Sequence, residues 1–232
     1  MTASRRYALV SFDLDGTLVD TAAEIAEAAN RTLDELGLRR ESEAAIARLI
    51  GAGTRELMLA LLRAVPGGAE IGADAARRDE ALGRFALHYD ATAGSRCVAY
   101  PSARVALDRL RRGGVRLACV TNKEERFSGR VLAACGCGDA FDLVIGGDTL
   151  PVKKPDAGVL EHAMRALGVE PDATAHVGDS RIDIEAARNA GVSAWAVPYG
   201  YNGGEPVAAC HPDRMFRDLG EVADLVLVAP DS

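Results

Sequence analysis

The sequence predicts an α/β protein whose core is a Rossmann-like, doubly wound parallel sheet with an all-helical segment inserted after the first strand. In the second half of the chain, short apolar runs alternate with helical patterns, and the runs lack the polar alternation of a sheet with one wet face. Residues 21–95 differ, because they are rich in alanine and charged residues, have helical spacing and contain no convincing strand.

The composition of the 232-residue chain is typical of a soluble globular protein, with 48% apolar and 26% charged residues. Its net charge of −7 argues against nucleic acid or an anionic membrane as a partner. No apolar run approaches the roughly 20 residues that span a bilayer. Five scattered cysteines and the lack of a secretory segment predict reduced thiols and a cytoplasmic location. We expect a monomer or a homodimer.

The first strand precedes the insertion. The apolar run from Tyr7 to Phe12, broken only by Ser11, predicts a buried strand that ends at the sequence Asp-Leu-Asp-Gly-Thr of residues 13–17. In open α/β sheets the ligand crevice lies beyond the carboxyl ends of the strands. An ordinary polar turn uses the same residue types, so the other strand ends must decide between the two interpretations.

The remaining elements divide the chain into two predicted domains. Residues 1–20 and 96–232 are expected to form the sheet core, and residues 21–95 an all-helical domain inserted after the first strand. Within this inserted domain, apolar spacing predicts a helix from Ile25 to Leu36, which Gly37 ends. Three more of its helices cover residues 46–50, 57–65 and 75–89. Core strands are predicted at 115–120, 143–145, 175–177 and 194–197, and core helices at 103–110, 127–135, 159–167 and 182–190.

Polar residues follow four of the predicted strands, and right-handed crossovers place all four strand ends at one edge of the sheet. Carboxylates gathered there repel one another unless a cation neutralises them. All-oxygen ligands suit Mg²⁺, so the sequence predicts a magnesium site. The residues in question are Asp13 and Asp15, Thr121 and Asn122, Lys153 and Lys154, and Asp179 and Asp183.

This arrangement resembles the haloacid dehalogenase superfamily. The matching motifs are D-x-D-G-T at residues 13–17, Thr121 after the second strand, Lys154 directly before a proline, and G-D-x-x-x-D at residues 178–183. The resemblance covers the whole chain. It implies a phospho-aspartate mechanism, a cap that closes over the site, and a small phosphate monoester as the substrate.

The resemblance also implies roles for the acidic residues. Asp13 is expected to be the nucleophile and Asp15 the general acid and base. Superfamily dehalogenases and P-type ATPases lack an aspartate at the second position, so Asp15 favours a phosphatase or a phosphomutase. Mg²⁺ would be held by Asp13, the backbone carbonyl of Asp15 and Asp179, whereas Asp183 would bond a metal-bound water or Lys154.

Thr121, with the backbone N–H groups that follow it at Asn122, is expected to hold the phosphoryl oxygens. Lys154 would neutralise the charge shared by Asp13 and the phosphate. Lys153 competes for this role, but successive residues of an extended segment point in opposite directions and the family pattern has lysine directly before proline. We therefore prefer Lys154.

Within the superfamily, three segments resemble bacterial phosphoglycolate phosphatases: residues 147–155, 177–191 and 199–205. The last one, Tyr-Gly-Tyr-Asn-Gly-Gly-Glu, is the most discriminating, because the general mechanism does not require it. That family commonly has asparagine where this chain has Ile182. The resemblance implies hydrolysis of 2-phosphoglycolate to glycolate and phosphate. Arg55, which follows a glycine-rich turn at a helix start, is a candidate for binding the substrate carboxylate, the alternative being an ordinary surface arginine.

Other functions remain open at this point. The same Asp13 and Asp15 would serve another capped small-molecule phosphatase or a sugar phosphomutase similar to β-phosphoglucomutase. A different class is a non-catalytic phosphate-binding protein on the same fold, since a fold does not determine function. The complete set of four motifs disfavours that class.

Overall fold

The computed structural model describes residues 6–228. A six-stranded parallel sheet forms the core, which confirms the α/β class predicted from the sequence. The strands of this sheet, numbered in chain order, are β1 (Leu9–Phe12), β4 (Arg116–Val120), β5 (Leu143–Ile145), β6 (Thr174–Gly178), β7 (Ser193–Ala196) and β8 (Arg214–Met215); the strands numbered 2 and 3 lie outside it. Their order in the sheet is β5-β4-β1-β6-β7-β8.

Helices cover both faces of this sheet. All residues of the central strands β1 and β6 are buried, which explains why these strands are apolar or small-residue runs without alternation. On one face, Phe12 packs in a cluster with residues of α6, α7 and α10, and on the other Leu9 packs with residues of α8 and α9. These helices are α6 (Ala103–Arg112), α7 (Glu125–Ala134), α8 (Gly158–Leu167), α9 (Arg181–Asn189) and α10 (Leu219–Leu227).

The segment that we call the cap, residues 21–95, is helical and has an apolar core of its own, built around residues such as Leu33, Met58 and Tyr89. Its separate core supports the proposed division into two domains, although residues 1–5 and 229–232 of the predicted core lie outside the described residues. The cap helices are α1 (Ala22–Glu35), α2 (Glu43–Ala47), α3 (Thr54–Ala64), α4 (Gly68–Ala73) and α5 (Ala75–Thr92).

Two features of the cap differ from the sequence prediction. Helix α4 was not predicted, because Gly67 and Gly68 indicate a helix end; the chain instead turns at Gly67 in the left-handed region and starts a new helix that buries Ile71. The two connections to the core also form a short antiparallel ribbon, in which β2 (Val19–Asp20) pairs with β3 (Val98–Ala99). Between residues 6 and 228, no helix has the length and apolar character needed to cross a membrane.

Candidate active site

Asp13 and Asp15 lie at the carboxyl end of β1, and both side chains are buried. The backbone N–H of Asp13 still donates to the carbonyl of Val177 on β6, at 2.9 Å, so the sheet holds this residue in place. Gly16 then turns the chain with φ of +89°. A Cβ atom at this position would lie 2.5 Å from Oδ2 of Asp179, so only glycine allows the two strand ends to approach this closely.

Lys154 joins two carboxylates at the floor of the site. Its Nζ lies 2.8 Å from Oδ1 of Asp13 and 2.6 Å from Oδ1 of Asp183. Burial alone would lower the pKa of Lys154, but the two carboxylates outweigh it and raise that pKa. Burial, helped by the charges of Asp183 and Asp15, raises the pKa of Asp13 to about 6 although Lys154 opposes the shift. Lys154 is therefore a permanently charged partner of the predicted nucleophile.

Asp183 is held by further contacts. Ser180 donates to its Oδ2 from the backbone N–H at 3.1 Å and from the hydroxyl at 2.6 Å, which caps helix α9. The ring of His176 lies 3.3 Å from its Oδ1, and Ser11 contacts the other ring nitrogen at 2.9 Å. Burial would raise the pKa of Asp183, but Lys154 and His176 keep it below its usual value. Burial lowers the pKa of His176 itself.

The carboxylates fit a divalent cation. Asp13, Asp179 and Asp183 each offer an oxygen, and these three atoms lie within 4.8 Å of one another in a buried position. Each carboxylate oxygen of Asp179 accepts one hydrogen bond. Oδ1 accepts from the Thr17 hydroxyl at 2.9 Å, and Oδ2 accepts from the backbone N–H of Tyr201 at 2.7 Å. Burial and the charges of Asp183 and Asp13 raise the pKa of Asp179 well above its usual value. A cation with oxygen ligands would relieve this repulsion, and the bonds that Asp183 already makes leave Asp13 and Asp179 as the better placed ligands.

Asp15 has a different environment from Asp13. Its Oδ1 accepts a hydrogen bond from the Thr21 hydroxyl at 2.6 Å, and its Oδ2 lies 2.9 Å from Nζ of Lys123. Lys123 is buried, and its Nζ also lies 4.8 Å from the centroid of the Tyr89 ring. Thr21 and Lys123 are not among the site residues predicted from the sequence. The position of Lys123, two residues after Thr121 at a strand end, is the one signal that indicated it.

Thr121 and Asn122 follow β4 and are both buried. Oγ1 of Thr121 accepts the backbone N–H of Lys123 at 3.2 Å. The side-chain amide of Asn122 donates to the carbonyl of Lys154 at 3.0 Å and to that of Gly51, in the cap, at 3.1 Å. Lys153 points away from the carboxylates and donates to the cap carbonyl of Ala52 at 2.8 Å. The side chains of these two adjacent lysines thus point in different directions, as expected for successive residues of an extended segment.

The cap is closed over the site. The cap and the core enclose a cavity of ≈ 20 Å³, which has room for about one water molecule and none for a substrate. Arg55 is exposed on α3 and does not line this cavity, and its proposed contact with the substrate has no support in this closed arrangement. The lining residues are Asp13, Asp15, Thr121 and Lys123 of the core and Ile25, Ile50, Gly51, Gly53, Thr54 and Leu57 of the cap.

The Tyr-Gly-Tyr-Asn-Gly-Gly-Glu segment connects the carboxylates with the cap. The backbone of Tyr201 bonds Asp179, and its hydroxyl accepts hydrogen bonds from the backbone N–H groups of Thr21 and Ala22 at 2.9 and 3.1 Å. Thr21 is the N-cap of α1 but makes no side-chain cap bond, since its hydroxyl donates to Asp15. Tyr201 therefore caps the first cap helix from a position 180 residues further along the chain.

The fold and the four strand ends define a hydrolase of the haloacid dehalogenase type. The family model for haloacid dehalogenase-like hydrolases matches residues 10–197. The chain belongs to this family, and the resemblance stated from its motifs is confirmed.

The names of individual relatives indicate a narrower class of enzyme than the family model does. The chain is 43% identical over 215 residues to the phosphoglycolate phosphatase of Pseudomonas putida, an alignment that covers 91% of this chain and 76% of the relative. It is 42% identical over 217 residues to the phosphoglycolate phosphatase of Nitrosospira multiformis, covering 94% of each. Among solved structures, a predicted phosphoglycolate phosphatase from Haemophilus somnus superimposes with a TM-score of 0.90 at 30% identity, covering 95% of this chain and 98% of that one.

Proposed function

We propose that the protein is a phosphatase that hydrolyses 2-phosphoglycolate to glycolate and phosphate. The observation that carries the proposal is the buried group of Asp13, Asp15 and Lys154 at one edge of the sheet, under a cap that leaves room for about one water molecule. The phosphoglycolate phosphatases that match most of the chain support the choice of substrate.

In the proposed reaction, a carboxylate oxygen of Asp13 attacks phosphorus and the ester oxygen leaves, which forms a phospho-aspartate. Asp15 gives its proton to the departing oxygen. It then takes a proton from the water that attacks the phospho-aspartate, which releases phosphate and restores Asp13. Lys154 holds Asp13 in position, and Thr121 with the N–H groups that follow it binds the phosphoryl oxygens.

Asp13, the backbone carbonyl of Asp15 and Asp179 would hold Mg²⁺ at this site. When bound, the ion supplies positive charge that offsets the charge of the phosphoryl group and of the nucleophile. Asp183 acts as a support, because its oxygens are bonded to Lys154, His176 and Ser180. A cytoplasmic location is part of the proposal and is supported by five cysteines with free thiols.

The proposal is tested by incubating the purified protein with Mg²⁺ and either 2-phosphoglycolate or β-glucose 1-phosphate. We expect free phosphate from 2-phosphoglycolate, with a kcat/KM higher than that for other small phosphate monoesters. An isomerised sugar phosphate in place of free phosphate would identify a phosphomutase. No turnover with any ester would favour a non-catalytic phosphate-binding protein instead. Turnover that is unchanged in Asp13→Asn would show that the measured activity does not come from this site, which would favour the same alternative.

A further inference from the structure

Lys123 is a buried cation whose hydrogen-bonding capacity is only partly used. Its side chain is 1% exposed, and its Nζ forms an ion pair with Asp15 at 2.9 Å. Apart from this carboxylate, no acceptor among residues 6–228 bonds the ammonium. An ammonium carries three N–H donors, and donors of a buried lysine that lack an acceptor are costly, so the spare donors indicate a ligand that arrives during function.

The ammonium faces the cavity in which the substrate must react. Lys123 lines this cavity together with Asp13, Asp15 and Thr121. The ring of Tyr89, which belongs to the cap, lies against the ammonium with Nζ 4.8 Å from its centroid. A cation over an aromatic face is stabilised without losing its N–H donors, so closure of the cap holds the charge in place and leaves it available.

The other cations near the site already have partners or lie elsewhere. Lys154 is bonded to Asp13 and Asp183. Lys153 donates to a backbone carbonyl of the cap. Arg55 is exposed and does not line the cavity. Of these four side chains, Lys123 is the cation that remains for a second negative charge on the substrate.

The covalent structure of the substrate places that second charge beside Lys123. In 2-phosphoglycolate a single methylene group separates the ester oxygen from the carboxylate. In the proposed reaction Asp15 protonates this ester oxygen, so the carboxylate must lie just beyond Asp15. Nζ of Lys123 is 2.9 Å from Oδ2 of Asp15. A carboxylate left unpaired there, next to the charges of Asp13 and of the phosphoryl group, would be strongly repelled.

We propose that Lys123 binds the carboxylate of the substrate and makes the enzyme selective for phosphate monoesters of small 2-hydroxy acids. This inference rests on the proposed phosphatase function and replaces Arg55 as the carboxylate-binding residue. Lys123 thus pairs with Asp15 in the empty closed site and with the substrate carboxylate in the complex. The apolar side chains of Ile25, Ile50 and Leu57, which line the same cavity, limit the size of the group that the hydroxy acid carries.

The test compares 2-phosphoglycolate with 2-phosphoglycolamide, which has the same shape but no charge on the acyl end. In Lys123→Met we expect kcat/KM for 2-phosphoglycolate to fall about 10- to 100-fold further than kcat/KM for the amide, mainly through a higher KM, because a hydrogen bond to a charged group is lost. Arg55→Met, which removes the other candidate, is expected to keep the wild-type preference for the carboxylate. Lys123→Arg is expected to keep most of that preference, because it keeps the charge.

Equal losses of kcat/KM for the two esters in Lys123→Met would overturn the inference, because they would mean that Lys123 acts only through Asp15. A lost preference in Arg55→Met alone would also overturn it. Circular dichroism establishes that each variant is folded. Calorimetric binding of both esters to Asp13→Asn, with and without Lys123→Met, tests the carboxylate contact without turnover. If wild type hydrolyses neither ester, the proposed function fails, and this binding comparison still decides the role of Lys123.

Discussion

At the scale of single residues, the structure assigns different partners to the adjacent lysines Lys153 and Lys154. Lys154 donates to the predicted nucleophile Asp13, whereas Lys153 donates to a backbone carbonyl of the cap. The sequence favoured Lys154 because it directly precedes a proline and because successive side chains of an extended segment diverge. That preference rested on local geometry, which a sequence pattern can represent.

Lys154→Met is expected to lower kcat about 100- to 1,000-fold, because it removes a preorganised charge from the reacting phosphoryl group and from Asp13. The matched control is Lys153→Met, for which we expect less than about a threefold change in kcat, since its loss removes one bond to the cap. Steady-state kinetics with Mg²⁺ and 2-phosphoglycolate measure both. Equal effects of the two substitutions would contradict the assignment.

Other site residues have only weak signals in the sequence, and their contacts cannot be predicted from it. Thr21 and Lys123 contact Asp15, but each is a single polar residue whose meaning depends on a contact between the cap and the core. Tyr201 reaches the start of α1 from 180 residues away. Motifs at strand ends could be predicted because parallel topology brings every strand end to one edge. The contacts of Thr21, Lys123 and Tyr201 instead depend on how the cap is placed on the core. No local sequence pattern encodes this placement.

At the scale of elements, the start of α1 joins the cap, Asp15 and the Tyr201 segment. Tyr201→Phe is expected to lower the free energy of unfolding by about 1 to 2 kcal/mol, because the N–H of Thr21 loses its acceptor at a helix end and Asp20 loses the bond from the hydroxyl. The N–H of Ala22 keeps Oδ1 of Asp20 as an acceptor. Urea denaturation measures the change. Wild-type stability in Tyr201→Phe would show that this hydroxyl does not cap the helix.

The glycine-rich turn before α3 is one of the parts of the cap that meet the core. Gly53 has φ of +96°, and a Cβ atom there would lie 2.9 Å from the carbonyl oxygen of Asn122. Gly53→Ala is therefore expected to hinder closure and to lower kcat/KM about tenfold or more, as misplacement of groups around the reacting centre does. Gly83, in α5, has no neighbour within 4 Å of its Cβ position, so Gly83→Ala is the control and should leave kcat/KM unchanged. A loss in the control, or none in Gly53→Ala, would contradict this role.

The sequence predicted most elements of the core but not every element of the cap. Most core strands are apolar runs bounded by polar residues, so their positions follow from composition. The exception is β8, whose two exposed residues form no apolar run and were not predicted. The helix α4 was missed because Gly67 and Gly68 indicate a helix end in isolation, whereas the burial of Ile71 by the rest of the cap stabilises a new helix there. The ribbon of β2 and β3 was missed because two-residue strands have no periodicity.

At the scale of the whole molecule, gathering carboxylates at one sheet edge couples stability to metal and pH. In the metal-free protein the pKa of Asp13 is raised from 3.8 to about 6, and that of Asp179 is raised as well. Between the ordinary pKa of Asp13, 3.8, and its raised pKa of about 6, the folded state binds more protons than the unfolded state. The free energy of unfolding without metal therefore falls as pH rises through this window. Mg²⁺ binds the deprotonated carboxylates and opposes this loss.

We therefore expect Mg²⁺ to stabilise the protein more above this window than within it. At a fixed Mg²⁺ concentration of about 100 times the Kd measured at about pH 7.5, the ion should add about 2.7 kcal/mol to the free energy of unfolding at that pH. The same concentration should add clearly less at about pH 5, where protons compete for the same oxygens. Urea denaturation with and without Mg²⁺ at the two pH values measures the difference. Asp179→Asn is the control and should lose most of the stabilisation at the higher pH. Equal stabilisation at both pH values would contradict the assignment of these carboxylates as ligands.

The central claim is that Asp13 is phosphorylated by 2-phosphoglycolate during turnover. The most direct measurement mixes the enzyme and Mg²⁺ with radiolabelled 2-phosphoglycolate, stops the reaction with acid within one turnover, and locates the label by mass spectrometry. We predict label on Asp13 of the wild-type protein and none on the Asp13→Asn variant. Release of labelled phosphate by the wild-type protein with no label on Asp13 at any time, or with the label on another residue, would contradict the account.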